Sequence, residues 1–218
     1  MIRASPSRRW RLEDGTQGDD RNPGREKSNM VHRKRCRRYN IPGHAHEITF
    51  SCYRRRPFLA DERALLYLRE SLLRARRKHD FFLWAYVFMP EHVHLLICPR
   101  GDAYSISAIL QSIKQPVARK VIQNMRVSGS AALSRFVTNR ADRPFAFWTK
   151  GGGYDRNITE SHTLESVVEY IHRNPVRRGL ATAPAEWRAS SAREWLEPGS
   201  VEISIDFDTF PPSLKRNE

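Results

Sequence analysis

An α+β fold, an antiparallel sheet with its helices packed on one face, is predicted by three features of the sequence. Short apolar runs with period-two alternation come as neighbours, longer runs with helical spacing separate them, and turn formers stand at the joins. "HAHEITFSCYRRRPFL" (44–59) carries Ile48, Phe50 and Cys52 on one face and reads as a strand that ends at the arginine run. In "ADERALLYLRESLLRARRKHD" (60–80), Leu65, Leu68, Leu72 and Leu73 recur at helical spacing. Asp61 and Glu62 suit the positive first turn of that helix, and Arg76, Arg77 and Lys78 its negative last turn. "FFLWAYVFM" (81–89) and "HVHLLICP" (92–99) are strands either side of a tight Pro90-Glu91 turn. "SISAILQSIKQPVARKVIQNM" (105–125) is a second helix, which Pro116 should kink or break. Residues 126–143 are polar and loop-like. "PFAFWTKGGGYDRNI" (144–158) reads as a short strand followed by a glycine loop. "ESHTLESVVEYIHRN" (160–174) is a third helix that Pro175 should close, since proline disfavours helix in the residue before it. The order β-α-β-β-α-β-α is that of a ferredoxin-like sheet.

Charge points to the partner. The 218 residues hold 38 Lys and Arg against 24 Asp and Glu, a formal net charge of +14. Such an excess favours a polyanion, first of all nucleic acid, with an anionic membrane surface as the competing reading. No apolar run reaches the roughly 18 residues of a membrane span, and no basic stretch leads into a signal-peptide core, so no membrane partner is expected. Cys36, Cys52 and Cys98 show no CxxC spacing, which argues against disulfides or a cysteine zinc site and for a reducing cytoplasm; with a nucleic-acid partner, association with the nucleoid is expected there. Residues 1–40 contain 12 Lys or Arg and 5 Asp or Glu, few apolar residues and no periodicity. Residues 1–30 are therefore expected to be a disordered basic arm that touches DNA, or to precede a true start at Met30. Residues 31–196 form the expected domain. The tail "EPGSVEISIDFDTFPPSLKRNE" (197–218) either adds an edge strand or lies loose.

The segment "YVFMPEHVHLLICP" (86–99) sets two histidines into a nearly apolar strand. Strand side chains alternate, so His92 and His94 share one face while Val93 and Leu95 enter the core on the other. Two imidazoles so placed can hold one divalent metal; one exposed and one hydrogen-bonded histidine is the plainer alternative. Known histidine-rich hydrolase patterns do not fit. An amidohydrolase needs a longer barrel, Leu96 and Ile97 stand where an HxHxDH site needs its carboxylate and histidine, and no HExxH is present. In "EYIHRNPVRRGLA" (169–181), Tyr170 and Asn174 lie four apart and so on one helical face.

A strand histidine pair, a helical tyrosine and an amide one turn later, in one small basic domain, resemble the HUH nucleases. The chain is most similar to their single-tyrosine transposases, in particular the REP-associated tyrosine transposases. The likeness is carried by "VFMPEHVHLL", "FWTKGGGYDRNI", "YIHRNPVRRGLA" and "EWRASSA", and spans about residues 38–196. It implies an HUH nuclease core of ferredoxin-like type and a divalent metal, Mg2+ or Mn2+, held by His92 and His94 with Asn174 as third ligand. It also implies attack by Tyr170 on single-stranded or hairpin DNA to form a 5′-phosphotyrosine, by a monomer or homodimer. A non-catalytic binder of structured DNA or RNA that keeps the fold is the alternative, although it would not need both histidines and the tyrosine. A relaxase or replication initiator would bring more domain than this chain has room for.

Tyr154, after three glycines in "GGGYDR", is the rival nucleophile, in a loop whose backbone can approach a phosphate closely. Other expected DNA contacts are the runs Arg54, Arg55, Arg56 and Arg76, Arg77, Lys78; Lys150 and Arg156 around the glycines; and Arg177 and Arg178 after the third helix. Trp148 is a candidate for stacking on an unpaired base, with core packing as the alternative. His172, two positions from Tyr170 on the helix, points away from it and is expected at the surface or facing DNA.

Overall fold

The computed structural model describes residues 38–151 and 153–211; the expectation for residues 1–30 falls outside them. Four strands form one sheet: β1 (Ala45–Ser51), β2 (Phe81–Met89), β3 (His92–Pro99) and β4 (Tyr154–Ile158). Their order is β2-β3-β1-β4 and every pairing is antiparallel. The helices are α1 (Glu62–His79), α2 (Ile106–Val127) and α3 (Ser161–Arg177). This is the expected α+β, ferredoxin-like arrangement.

The helices do not all pack on one face. Ile48, Phe50, Leu83, Val93, Leu95 and Ile97 meet Leu68 and Leu72 of α1 and Ile109, Ile113 and Val117 of α2 in one core. Ala85, Val87, Met89 and Leu96 meet Leu164, Val167, Val168 and Ile171 of α3 in a second. With alternate residues of a strand facing opposite ways, a strand apolar on both faces needs cover on both. β2, with nine residues almost all buried, is such a strand. A bulge between Leu83 and Ala85 resets its alternation, so that Leu83 and Tyr86 both reach the first core.

Neither proline ends its helix. Pro116 lies within α2, whose buried stripe runs on from Ile113 through Val117 to Val121. Pro175 lies within α3, which continues to Arg177. A proline has no N–H for the carbonyl four residues back, here that of Ile171. The side-chain amide of Asn174 donates towards that carbonyl at 3.5 Å and to the Tyr170 carbonyl at 2.8 Å. The side chain thus supplies part of what the proline removes.

The fourth strand also lies later than expected. Residues 145–148 make only isolated bridges, with Trp148 opposite Cys52, and β4 begins after the glycines at Tyr154. Nor is the tail loose over its described residues, 197–211. The Phe88 N–H donates to the Ala189 carbonyl (2.8 Å), the Ser191 N–H to Tyr86 (3.0 Å) and the Asp206 N–H to Leu83 (2.9 Å). Ile203 and Ile205 fill the first core and Phe210 the second. The segment from 187 to 210 therefore straps the outer edge of β2, which would otherwise offer unpaired backbone groups. Among the described residues, no helix is long and apolar enough to cross a membrane.

Candidate active site

The second face of the sheet and α3 enclose an open cavity of about 700 Å³. Thr49 from β1, His92 and His94 from β3, Tyr154 and Arg156 from β4, and Tyr170 and Asn174 from α3 all line it. The strand register explains the gathering: Thr49 pairs with His94 on one side and with Tyr154 on the other, so all three point the same way.

Both histidines are buried and held by their Nδ1 atoms. His92 Nδ1 donates to the Glu91 carboxylate at 3.1 Å, and His94 Nδ1 bonds Thr49 Oγ1 at 2.8 Å. Their rings meet edge to face with centroids 4.8 Å apart. His94 Nε2 is buried and has no hydrogen-bond partner among the described residues. Burial pushes the His94 pKa down to about 3, helped by the charges of His92 and Arg55. Burial also lowers that of His92, against the opposing pull of Glu91. Both imidazoles are thus neutral at pH 7, the form that ligates metals.

Tyr170 stands over this pair. Its ring lies 5.6 Å from that of His94, nearly perpendicular to it, and 40% of the residue is exposed. The Arg177 guanidinium sits 5.3 Å from the centre of the same ring. Asn174 is buried one turn on, its nitrogen turned back to the Tyr170 carbonyl and its oxygen not used by that bond. Charge around the cavity is mainly positive: Arg55, Arg156, Arg177 and Arg178 line it with Glu47, and Glu91 lies behind, paired with His92, Arg55 and Arg178. Glu47 pairs with Arg156 at 3.0 Å, and burial raises its pKa against that arginine's pull.

The expected residues divide into two groups. His92, His94, Tyr170, Asn174, Tyr154, Arg55, Arg156, Arg177 and Arg178 come together. Tyr154 is the first residue of β4 and 49% exposed, so it has a strand's fixed geometry and is not a loop residue. Trp148 is a correction: it is 2% exposed, packs edge to face on Phe50 and donates Nε1–H to the Lys114 carbonyl, so no base can stack on it. Arg76, Arg77 and Lys78 are not at the cavity either. They end α1, on the other face and next to the start of β2, whereas the histidines lie at the end of β2 that pairs Met89 with His92. Arg76 is tied to Asp206 and the Ser204 carbonyl. Arg54 leans on the Tyr53 ring, Arg56 donates to the Arg135 carbonyl, and Lys150 is exposed beside the glycines. His172 is buried, not at the surface: its Nε2 pairs with Ser191 Oγ at 2.8 Å. Sequence reasoning missed Glu91, Thr49 and Glu47. Only Glu91 had a signal, its place beside the histidines.

Among the described residues no three His, Cys, Asp or Glu side chains gather to hold a metal. The donor set is two imidazoles and an amide oxygen, and it fits a divalent cation on one observation, the buried His94 Nε2 that lacks a partner among the described residues.

The sheet sets two histidines beneath a helical tyrosine, the arrangement that the resemblance to single-tyrosine transposases implies. Residues 41–174 match the family described as "Transposase IS200 like", and the chain belongs to that family. Among solved structures, one of a REP-associated tyrosine transposase bound to a REP hairpin is similar in fold: TM-score 0.57 at 22% identity, over 76% of this chain and 87% of that one. A protein of Deinococcus radiodurans R1 aligns with TM-score 0.39 at 20% identity, over 64% of this chain and 96% of its own. No curated protein matches the sequence.

Proposed function

We propose that this transposase nicks and rejoins single-stranded DNA at hairpins, with a divalent metal at His92, His94 and Asn174 and Tyr170 as nucleophile. The observation that carries the reading is the His94 Nε2, without a partner among the described residues and buried under the half-exposed ring of Tyr170. Bound there, a divalent cation supplies Lewis-acid stabilisation of charge on the phosphoryl oxygens. The protein does the rest. Glu91 and Thr49 fix the two imidazoles through Nδ1, which leaves the His92 Nε2 lone pair and, with Nδ1–H donated to Thr49, that of His94 for ligation. Asn174, its nitrogen occupied by its own helix, has its oxygen to offer. Arg55, Arg177 and Arg178 hold phosphate oxygens and orient the scissile bond. The Tyr170 oxygen attacks phosphorus as the bond to the 3′ oxygen breaks. DNA is left on the protein as a 5′-phosphotyrosine, with a free 3′-OH. One phosphoester replaces another, so a second 3′-OH can reverse the step without ATP.

The hairpin part of the reading is supported by the similar solved structure, which carries a REP hairpin. The test is incubation with labelled hairpin DNA and Mn2+, followed by denaturing gels. The wild-type chain and Tyr154→Phe should form a covalent adduct. Tyr170→Phe keeps the ring but lacks the attacking oxygen, and should form none. An adduct in Tyr170→Phe, or a DNA-linked peptide containing Tyr154, overturns the assignment.

A further inference from the structure

Glu91 is buried, with 8% of its surface exposed, and three elements meet on one of its oxygens. His92 Nδ1 from β3 lies 3.1 Å from Oε1, Arg178 from the end of α3 lies 3.0 Å from it, and Arg55 from the link between β1 and α1 lies 3.9 Å from it. The two arginine side chains remain 50% and 63% exposed, so each keeps donors for a phosphate. Arg55 is directed there by a left-handed backbone, with φ 51° at Arg55 and 54° at Arg54. Such conformations are strained in a non-glycine residue and collect at functional sites.

We propose that Glu91 is a positioning residue that ties the orientation of a metal ligand to that of two phosphate-binding arginines. This rests on the reading of His92 as a ligand. A turn-forming role does not account for the side chain, because the turn is already pinned by its backbone. The Glu91 carbonyl accepts the Cys52 N–H at 2.9 Å and the Pro90 carbonyl accepts the Leu59 N–H at 2.9 Å. The carboxylate holds His92 in one tautomer and ring orientation and raises its basicity, the usual work of a carboxylate behind a ligating histidine. The same charge keeps Arg55 and Arg178 extended over the cavity. Metal loading and phosphate placement are thus set by one group.

The test uses the full chain and titrates Mn2+ by calorimetry without DNA, then measures hairpin affinity and the rate of adduct formation at saturating Mn2+ and DNA. Glu91→Gln keeps the shape and removes the charge. Its Mn2+ affinity should fall at least about tenfold and its saturated adduct rate should drop, with hairpin affinity unchanged or tighter because an anion has gone. Thermal stability should stay close to wild type. Should Glu91→Gln fail to fold, Glu91→Asp is read the same way, its shorter reach also releasing His92. Wild-type Mn2+ affinity in a folded variant overturns the proposal, and so does loss of folding in both, which makes Glu91 structural. A wild-type chain that binds no Mn2+ instead overturns the metal reading on which the proposal rests, a result distinct from either.

Discussion

His94 is buried with one ring nitrogen satisfied and the other not. A buried polar atom left alone costs about 1–3 kcal/mol, and a ligated metal would relieve it. His92→Ala removes the neighbouring donor. Adduct formation should fall by about 100-fold or more, as loss of one transition-state stabiliser commonly does. Hairpin affinity, which rests mainly on basic contacts to phosphate, should change less than about twofold on a binding titration. Equal loss of both in a folded protein would mark His92 as structural. Gly153 is a second sensitive point. Its φ is +74°, and a Cβ there would lie 1.9 Å from the Thr49 carbonyl oxygen. Gly153→Ala must therefore displace β1 or β4 where Thr49 bonds His94, so Tm should drop by several degrees and the adduct rate with it. At this scale the sequence was only partly legible. His92 and His94 declare themselves because alternation along one strand is a local pattern. Thr49 does not, because its bond to His94 depends on the register between strands 45 residues apart. Trp148 looked available for stacking because nothing local distinguishes a buried indole from an exposed one.

Among the elements, α3 joins the site to the strap. One side carries Tyr170 and Asn174; another presents His172 to Ser191, which also accepts the Tyr86 N–H at 2.9 Å. Burial holds the His172 pKa down to about 4, against about 6.5 for a free histidine. The unfolded chain therefore binds the extra proton first as pH falls. The contribution is fully present above about pH 6.5 and is lost progressively as pH drops through about 4. At pH 5 the loss should be about 2 kcal/mol, seen as a lower urea midpoint. His172→Gln should flatten that part of the curve while lowering stability at pH 7. An unchanged pH dependence in the variant would place the proton elsewhere. The span of α3 was legible from its apolar period, but its end was not. Pro175 argued for closure at Asn174, and the helix goes on with a side-chain amide supplying part of what the missing donor would. Likewise α2 runs through Pro116, where burial of Ile113, Val117 and Val121 outweighs one lost hydrogen bond.

At the scale of the whole molecule, two cores share one sheet and the strap serves both. Ile203, Ile205 and Phe210 are nearly buried, and burying such a side chain is worth about 1.5–3 kcal/mol. A chain ending at residue 196 forfeits all three and bares the Leu83 end of the β2 edge, while Ala189 and Ser191 still cover Phe88 and Tyr86. The loss, about 5 kcal/mol or more, rivals the whole net stability of a typical domain. That truncation should aggregate or melt far below the full chain in a thermal scan, whereas a chain beginning at Met30 should fold and form the adduct like the full one. The sheet order could be argued from the sequence of elements. The side on which α3 packs could not, because an amphipathic helix states that it has an apolar face but not which surface will meet it.

The strap also puts a clock on the protein. Leu83 and the Asp206 that covers it are 123 residues apart. At roughly 5–20 residues per second of synthesis, β2 waits between about 6 and 25 s for its cover to be made. During that interval the nascent chain shows the ribosome's surroundings an open strand edge. Ribosomes stalled before residue 203 should therefore hold chains that recruit holding chaperones, and release from those chaperones should coincide with synthesis of the strap.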